Sequence, residues 1–202
     1  MIGIVDYGMG NVASLSNALR FLGYEPVVTD QSDVLGRASH IILPGVGSFK
    51  AAVDEMDQRG LRSVLKALVQ EKPLLGICLG MQLLFTTGTE GGISKGLDIL
   101  PGTVEKLPTH LRLPHIGWNP LDVVQDDAAF RPFQGKAVYF VHSYGVNTNA
   151  EYIVATAEYG LPVPAIVRKG KVFGMQFHPE KSGDTGMRLL RNFAGQCEGG
   201  KA

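Results

Sequence analysis

The chain has 202 residues, 19 of them basic and 19 acidic, for a formal net charge of zero. This length buries one sizeable core, and the balanced charge leaves no net field to draw in nucleic acid or an anionic membrane. The longest apolar runs are strand-length and no signal peptide or membrane span is visible, so the sequence predicts one α/β domain over residues 1–202 in the cytosol.

In chain order, Ile2–Val5 reads as a buried strand and residues 11–22 as a helix, with Leu15, Ala18, Leu19 and Leu22 on one face. Between them, Gly8-Met9-Gly10-Asn11-Val12-Ala13 fits the Gly-x-Gly-x-x-Gly/Ala pattern of a dinucleotide turn, and Asp30 follows at the distance of a ribose-binding acid. A short strand-to-helix turn needs glycines for geometry alone, and that reading is favoured here. His40–Leu43 is a further strand. It opens into Pro44-Gly45-Val46-Gly47 ahead of helical stretches over residues 50–59 and Leu61–Glu71, the second ended by Pro73.

Residues 74–85 carry the chemistry. An apolar strand runs into Gly76-Ile77-Cys78-Leu79-Gly80, and the apolar residues then resume with helical spacing. A nucleophile raised on a sharp strand-to-helix turn needs glycines two residues before and after it, because a Cβ at either place would clash. Cys78 is thus the candidate nucleophile, and a helix starting behind it would favour its thiolate. Gln82, one helical turn on, points an amide from the same face, either toward a substrate or toward solvent. Oxyanion donors in such sites come from the N–H after the nucleophile and from a separate loop, here Leu79 with Gly45, Val46 and Gly47.

After Gly88 the texture shifts to turns and short strands, at residues 104–107, 121–124, 139–142, 152–158, 165–168 and 172–177. Lys169-Gly170-Lys171 makes a hairpin turn, and residues 184–194 form a closing helix. The strand at 172–177 ends in His178-Pro179-Glu180. Pro179 predicts an extended backbone there, with His178 and Glu180 on one face as base and orienter for Cys78. His142 is a rival base, but it lacks the carboxylate two residues on that His178 has. The other histidines, His40, His110 and His115, show no metal-ligand spacing, and no metal or cofactor is called for. Of the two cysteines, a reducing compartment leaves both free, and Cys197 in its Gly-rich tail reads as a bystander. Lys181, directly after the carboxylate, belongs either at the mouth of the site or on a solvated loop. Trp118, the sole tryptophan, suits core or rim.

Gly76-Ile77-Cys78-Leu79-Gly80-Met81-Gln82 with His178-Pro179-Glu180 resembles the class I, triad-type glutamine amidotransferases. Asp6-Tyr7-Gly8-Met9-Gly10-Asn11, Pro44-Gly45-Val46-Gly47, His115-Ile116-Gly117-Trp118-Asn119, Tyr139-Phe140-Val141-His142-Ser143-Tyr144 and His178-Pro179-Glu180-Lys181-Ser182 extend the resemblance over nearly the whole chain. They are similar to the branch of that family that serves histidine biosynthesis. The resemblance implies a three-layer α/β sandwich, its central sheet largely parallel, with an antiparallel portion from the C-terminal half. It implies glutamine as substrate, contacted by Gln82, His142, Ser143 and Tyr144. It also implies a (β/α)8-barrel cyclase partner that takes the ammonia to make imidazole glycerol phosphate and aminoimidazole carboxamide ribotide, docked on Trp118, Asn119, Tyr139 and Lys181. Two positions depart from the family pattern: Ile116 stands where Met is common, and Thr86-Thr87-Gly88 replaces a more acidic segment.

Overall fold

The computed structural model describes residues 1–195. Cys197 lies outside them. Eight strands form the central sheet in the order Pro26–Thr29, Ile2–Val5, His40–Leu43, Leu74–Ile77, Val172–Met175, Pro162–Lys169, Ile153–Glu158, Asp122–Val123. The first five are parallel and the rest antiparallel, as expected of this fold class, with Val172–Met175 belonging to both parts.

Successive residues of the short buried strands face opposite sides of the sheet, which generates two cores. Ile42 and Leu75 pack on one side with Leu15 and Leu19 of helix Val12–Phe21 and Leu189, Leu190 and Phe193 of helix Gly183–Gly195. Ile41, Leu43 and Leu74 pack on the other with Phe49 and Met56 of helix Phe49–Gln58 and Leu61 and Leu65 of helix Leu61–Glu71. Helices thus cover both faces, the arrangement that a parallel sheet needs.

Two smaller sheets lie beyond this sandwich. One joins Tyr144–Asn147, Leu100–Lys106, Phe85–Gly88 and Ser94–Lys95; the other pairs His115–Pro120 with Ala137–His142.

Two expectations fail locally. The helix behind Cys78 is a single turn, Leu79–Gln82, after which Phe85–Gly88 is a strand. Leu83, Leu84 and Phe85 are all fully buried, so this run has no solvent face around which an amphipathic helix could continue, and the β-branched Thr86 and Thr87 suit a strand. The segment after His178 is also not extended, since Pro179–Lys181 forms a 3-10 turn. The fixed φ of proline suits the first position of such a turn, and Lys181 N–H closes it on the His178 carbonyl at 3.0 Å.

Candidate active site

Cys78 sits at φ 53°, ψ −113°, a backbone conformation rare for a side chain with a Cβ and held only by its surroundings. Its N–H donates to the Met175 carbonyl at 2.8 Å. The flanking glycines are needed for the reason read from the sequence. A Cβ on Gly76 would lie 2.5 Å from the Gly80 carbonyl oxygen, and one on Gly80 would lie 1.8 Å from that of Leu43. Because the helix behind the sulfur is one turn long, its axial dipole is that of a few peptide units.

Parallel pairing brings His178 to this sulfur. Gly174 pairs with Gly76 and Met175 with Ile77, so both strands end level and the chain carries His178 past Cys78. His178 Nδ1 is 2.9 Å from Glu180 Oε1, with both side chains only 4% exposed. A carboxylate accepts, so Nδ1 bears the proton and Nε2 is left for the sulfur. Burial pulls His178 down, but hydrogen bonds to Cys78 and Glu180, reinforced by their charges, outweigh it and hold the imidazole up at about 9. The turn is braced from behind: Ser182 Oγ donates to the His178 carbonyl at 2.7 Å and accepts the Tyr139 N–H at 2.9 Å, while His178 N–H donates to the Tyr139 carbonyl at 3.0 Å.

A pair of amides adjoins Cys78. Gln82 Nε2 donates to the Tyr144 carbonyl and to Gln176 Oε1, each at 3.0 Å, and Gln176 Nε2 lies 3.8 Å from Cys78 Sγ as donor. Gln82 therefore turns inward, with both amide protons used inside the protein. Gln176, fully buried, escaped the sequence reading because one glutamine in an apolar strand carries no spacing signal.

The Pro44–Gly47 segment, expected to supply a second oxyanion donor, is arranged differently. The Tyr7 hydroxyl, its pKa driven up by burial, donates to the Pro44 carbonyl at 2.8 Å. Val46 N–H donates to the Met9 carbonyl at 3.1 Å, so that donor is engaged elsewhere. The two glycines differ in purpose. Gly47 has φ +104°, a conformation favouring glycine, whereas a Cβ on Gly45 would meet Tyr7 Oη at 2.5 Å and the Gly80 nitrogen at 2.8 Å.

A cavity of about 230 Å³ opens over these groups, lined by Val46, Gly47, Cys78, Leu79, Gln82, Glu90, Val141, His142, Ser143, Tyr144 and His178. It gathers the residues read as catalytic, oxyanion and substrate-binding, apart from Gly45 and Glu180 just behind it. Glu90 and Val141 were not anticipated; Glu90 reaches the site from a turn, its carboxylate accepting the Phe49 N–H that opens helix Phe49–Gln58. His142 is unsuited to act as base, because both ring nitrogens are engaged, Nδ1 with the Tyr144 carbonyl at 2.8 Å and Nε2 with His115 Nδ1 at 3.2 Å. Trp118, Asn119, Tyr139 and Lys181 lie outside the cavity. Trp118 is 54% exposed and sits edge-on to Tyr139, its partner across the two-stranded sheet.

The glycine turn after the first strand serves packing. Gly8 has φ +83°, a Cβ on Gly10 would press on Pro44, and Asp30 is ion-paired with Arg59. Among the described residues, no group of three or more His, Cys, Asp or Glu side chains is placed to hold a metal ion.

Residues 3–197 match the family described as Glutamine amidotransferase class-I. The chain belongs to that family. It is 50% identical over 193 residues to the imidazole glycerol phosphate synthase subunit HisH of Exiguobacterium sibiricum, covering 96% of this chain and 94% of that one. It is 45% identical over 196 residues to the protein of the same name from Caldanaerobacter subterraneus, covering 96% and 97%. A solved structure titled as a glutamine amidotransferase aligns with a TM-score of 0.76 at 22% identity, over 95% of this chain and 96% of the other, and so shares the fold. The PurLQS structure from Thermotoga maritima aligns with a TM-score of 0.72 at 20% identity, over 97% and 98%. As an amidotransferase, the chain is an enzyme subunit.

Proposed function

We propose that this amidotransferase hydrolyses glutamine for an imidazole glycerol phosphate synthase in histidine biosynthesis, working as one catalytic unit over residues 1–202 and delivering ammonia to a (β/α)8-barrel cyclase subunit in the cytoplasm. The observation that carries the chemistry is that Cys78 and His178 line a cavity sized for an amino acid, with Glu180 paired to His178 behind it. The near-full-length likeness to proteins named for that synthase supports the pathway. Among the described residues no helix is long and apolar enough to cross a membrane.

In this reading Cys78 Sγ attacks the side-chain carbonyl carbon of glutamine, forming a C–S bond while the carbonyl oxygen takes the negative charge. Leu79 N–H meets that oxygen, and Val46 N–H joins it once the peptide between Gly45 and Gly47 turns from Met9. His178 gives its proton to the departing nitrogen as the C–N bond breaks, releasing ammonia and leaving a thioester. It then takes a proton from the water that hydrolyses the thioester to glutamate. Glu180 steadies the charged imidazole and fixes its tautomer. Gln82, His142, Ser143 and Tyr144 shape the glutamine pocket, and Trp118, Asn119, Tyr139 and Lys181 form the docking face. No cofactor takes part.

The test is co-purification with a candidate cyclase followed by a glutaminase assay on the complex, with peptide substrates as a control. Glutamine hydrolysis that depends on the cyclase supports the reading. Hydrolysis of peptides instead of glutamine would make the protein a stand-alone cysteine hydrolase on the same architecture.

A further inference from the structure

Behind the cavity wall, five polar groups form a chain whose proton count, with the outer hydrogen bonds kept, does not close with neutral rings. Asn119 Nδ2 donates to the Glu158 carbonyl at 2.9 Å, and this fixes the amide, since the flipped amide would set two oxygens against each other. Asn119 Oδ1 must then accept from His115 Nε2, at 2.8 Å. At the other end His142 Nδ1 must donate to the Tyr144 carbonyl. Both histidines have thus placed their single neutral-state proton on the outer nitrogen, and His115 Nδ1 faces His142 Nε2 at 3.2 Å as one lone pair against another. With both outer hydrogen bonds kept, the contact becomes a hydrogen bond only if the pair holds one further proton. His115 is fully buried and clamped between Phe140, with ring centroids 4.8 Å apart, and Tyr159 at 3.9 Å, so the rings cannot simply draw apart.

We propose that His115 and His142 share one proton, and that losing it turns the Asn119 amide, which links proton occupancy beside the reaction cavity to the exposed strand that carries Trp118 and Asn119. The loss has two outlets. If His142 shifts its proton to Nε2, the Tyr144 carbonyl faces a lone pair inside the protein. If His115 shifts its proton to Nδ1, Asn119 turns its amide N–H to His115 Nε2, and its oxygen and the Glu158 carbonyl part at an exposed contact where water can meet both. The second leaves fewer buried groups unpaired and is the outlet taken.

The titratable groups facing the pair are few. Within the cavity His142 has His178, Cys78, Glu90 and Tyr144 around it, while among the described residues His115 meets His142, Asn119, Phe140 and the Tyr159 phenol ring. Burial draws His115 below the usual imidazole range. It draws His142 down to about 4, with repulsion from His115 and His178 adding to the effect. The shared proton therefore enters on the acid side of the ordinary imidazole range. A partner that holds Asn119 toward Glu158 favours the protonated pair, and by reciprocity the protonated pair favours that partner. This last step rests on the docking face proposed above.

Nitrogen-15 NMR of the imidazoles in the full chain, titrated from pH 4 to 9, tests the pair without any assay of activity. The expected result is one joint step of a single proton, with Nε2–H on His115 and Nδ1–H on His142 below it and the His115 proton moved to Nδ1 above it. Asn119→Asp sets a carboxylate against His115 Nε2 and shifts that step upward by roughly one pH unit or more; His115→Phe, which keeps the aromatic stack, abolishes it. Two independent one-proton titrations, no tautomer change, or a step that Asn119→Asp leaves in place would overturn the proposal. If His115→Phe does not fold, the Asn119→Asp shift decides alone. Calorimetry of cyclase binding in buffers of different ionisation heat should show uptake of up to one proton near neutral pH, reduced in His115→Phe, and equal uptake in both overturns the link to docking. A cyclase that fails to bind would count against the proposed function, whereas the NMR step would still stand or fall independently.

Discussion

Two loops bring main-chain and side-chain groups to Cys78, and they are held in different ways. The His178–Lys181 turn is finished: its imidazole is paired with Glu180, and Ser182 ties the carbonyl behind it to Tyr139. The Pro44–Gly47 loop has its Val46 N–H turned to Met9. In the mechanism proposed above, Cys78 and His178 are then already placed while the Val46 N–H is occupied elsewhere, and the element the isolated chain would lack is electrostatic. A subunit that hydrolysed glutamine alone would waste it, and one peptide rotation at a glycine is an inexpensive way to hold it idle.

The strongest challenge to this contrast is removal of the finished half. Cys78→Ala should lower glutamine-dependent synthesis by on the order of 10⁴ or more while the complex still uses added ammonium salt. His178→Ala should come close to that loss and exceed the loss from His142→Ala, whose ring nitrogens are both engaged within the protein. A greater loss at His142, read from kcat/KM for glutamine, would reverse the assignment of the base. Breaking the unfinished half should cost less. Val46→Pro removes the N–H outright, and the cyclase complex should then fall by about 10² to 10³ in kcat, toward the rate of the free chain, with KM for glutamine changing less. An isolated wild-type chain already as fast as the complex would show that no such switch exists.

Smaller effects sharpen the picture of the finished turn. His178 is raised from an ordinary imidazole value to about 9, so its acid form, and the rate depending on it, is present through neutrality and lost as pH rises through about 9. In Glu180→Gln one of the raising influences is gone, and the falling limb of the pH profile of kcat/KM should move to lower pH; an unmoved limb would assign it to another group. The smallest expected change is Lys181→Glu. This exposed side chain at the end of the turn should weaken cyclase affinity only a few-fold, as single surface charges do, without unfolding the chain.

How much of this was legible depended on whether the constraint was local. The elbow could be read because its glycines and cysteine lie within five residues and each answers a steric demand. The paired strands and amphipathic helices could be read from their periods. The single-turn helix after Cys78 could not, because Leu83, Leu84 and Phe85 are buried on every side and such a run has no period to read. Gly45 and Gly47 look equivalent in sequence, yet one is glycine for lack of room and the other for its φ. Gln176 with Gln82, and His115 with His142, meet only through strand pairing across 94 and 27 residues. No spacing rule reaches that far.

The strand order has a further consequence, for when the chemistry can begin. Val172–Met175 lies in the middle of the sheet, between Leu74–Ile77 and Pro162–Lys169, although among the described residues it is the last strand to leave the ribosome. Until it inserts, the carbonyl that takes the Cys78 N–H is missing, and so are the imidazole and the carboxylate. Closing such a long-range parallel contact is a slow part of folding, since the chain must surrender loop entropy before the pairing rewards it. A nascent or half-folded chain therefore carries an unactivated thiol, and glutaminase competence arrives with the final segment of the fold rather than with the cysteine.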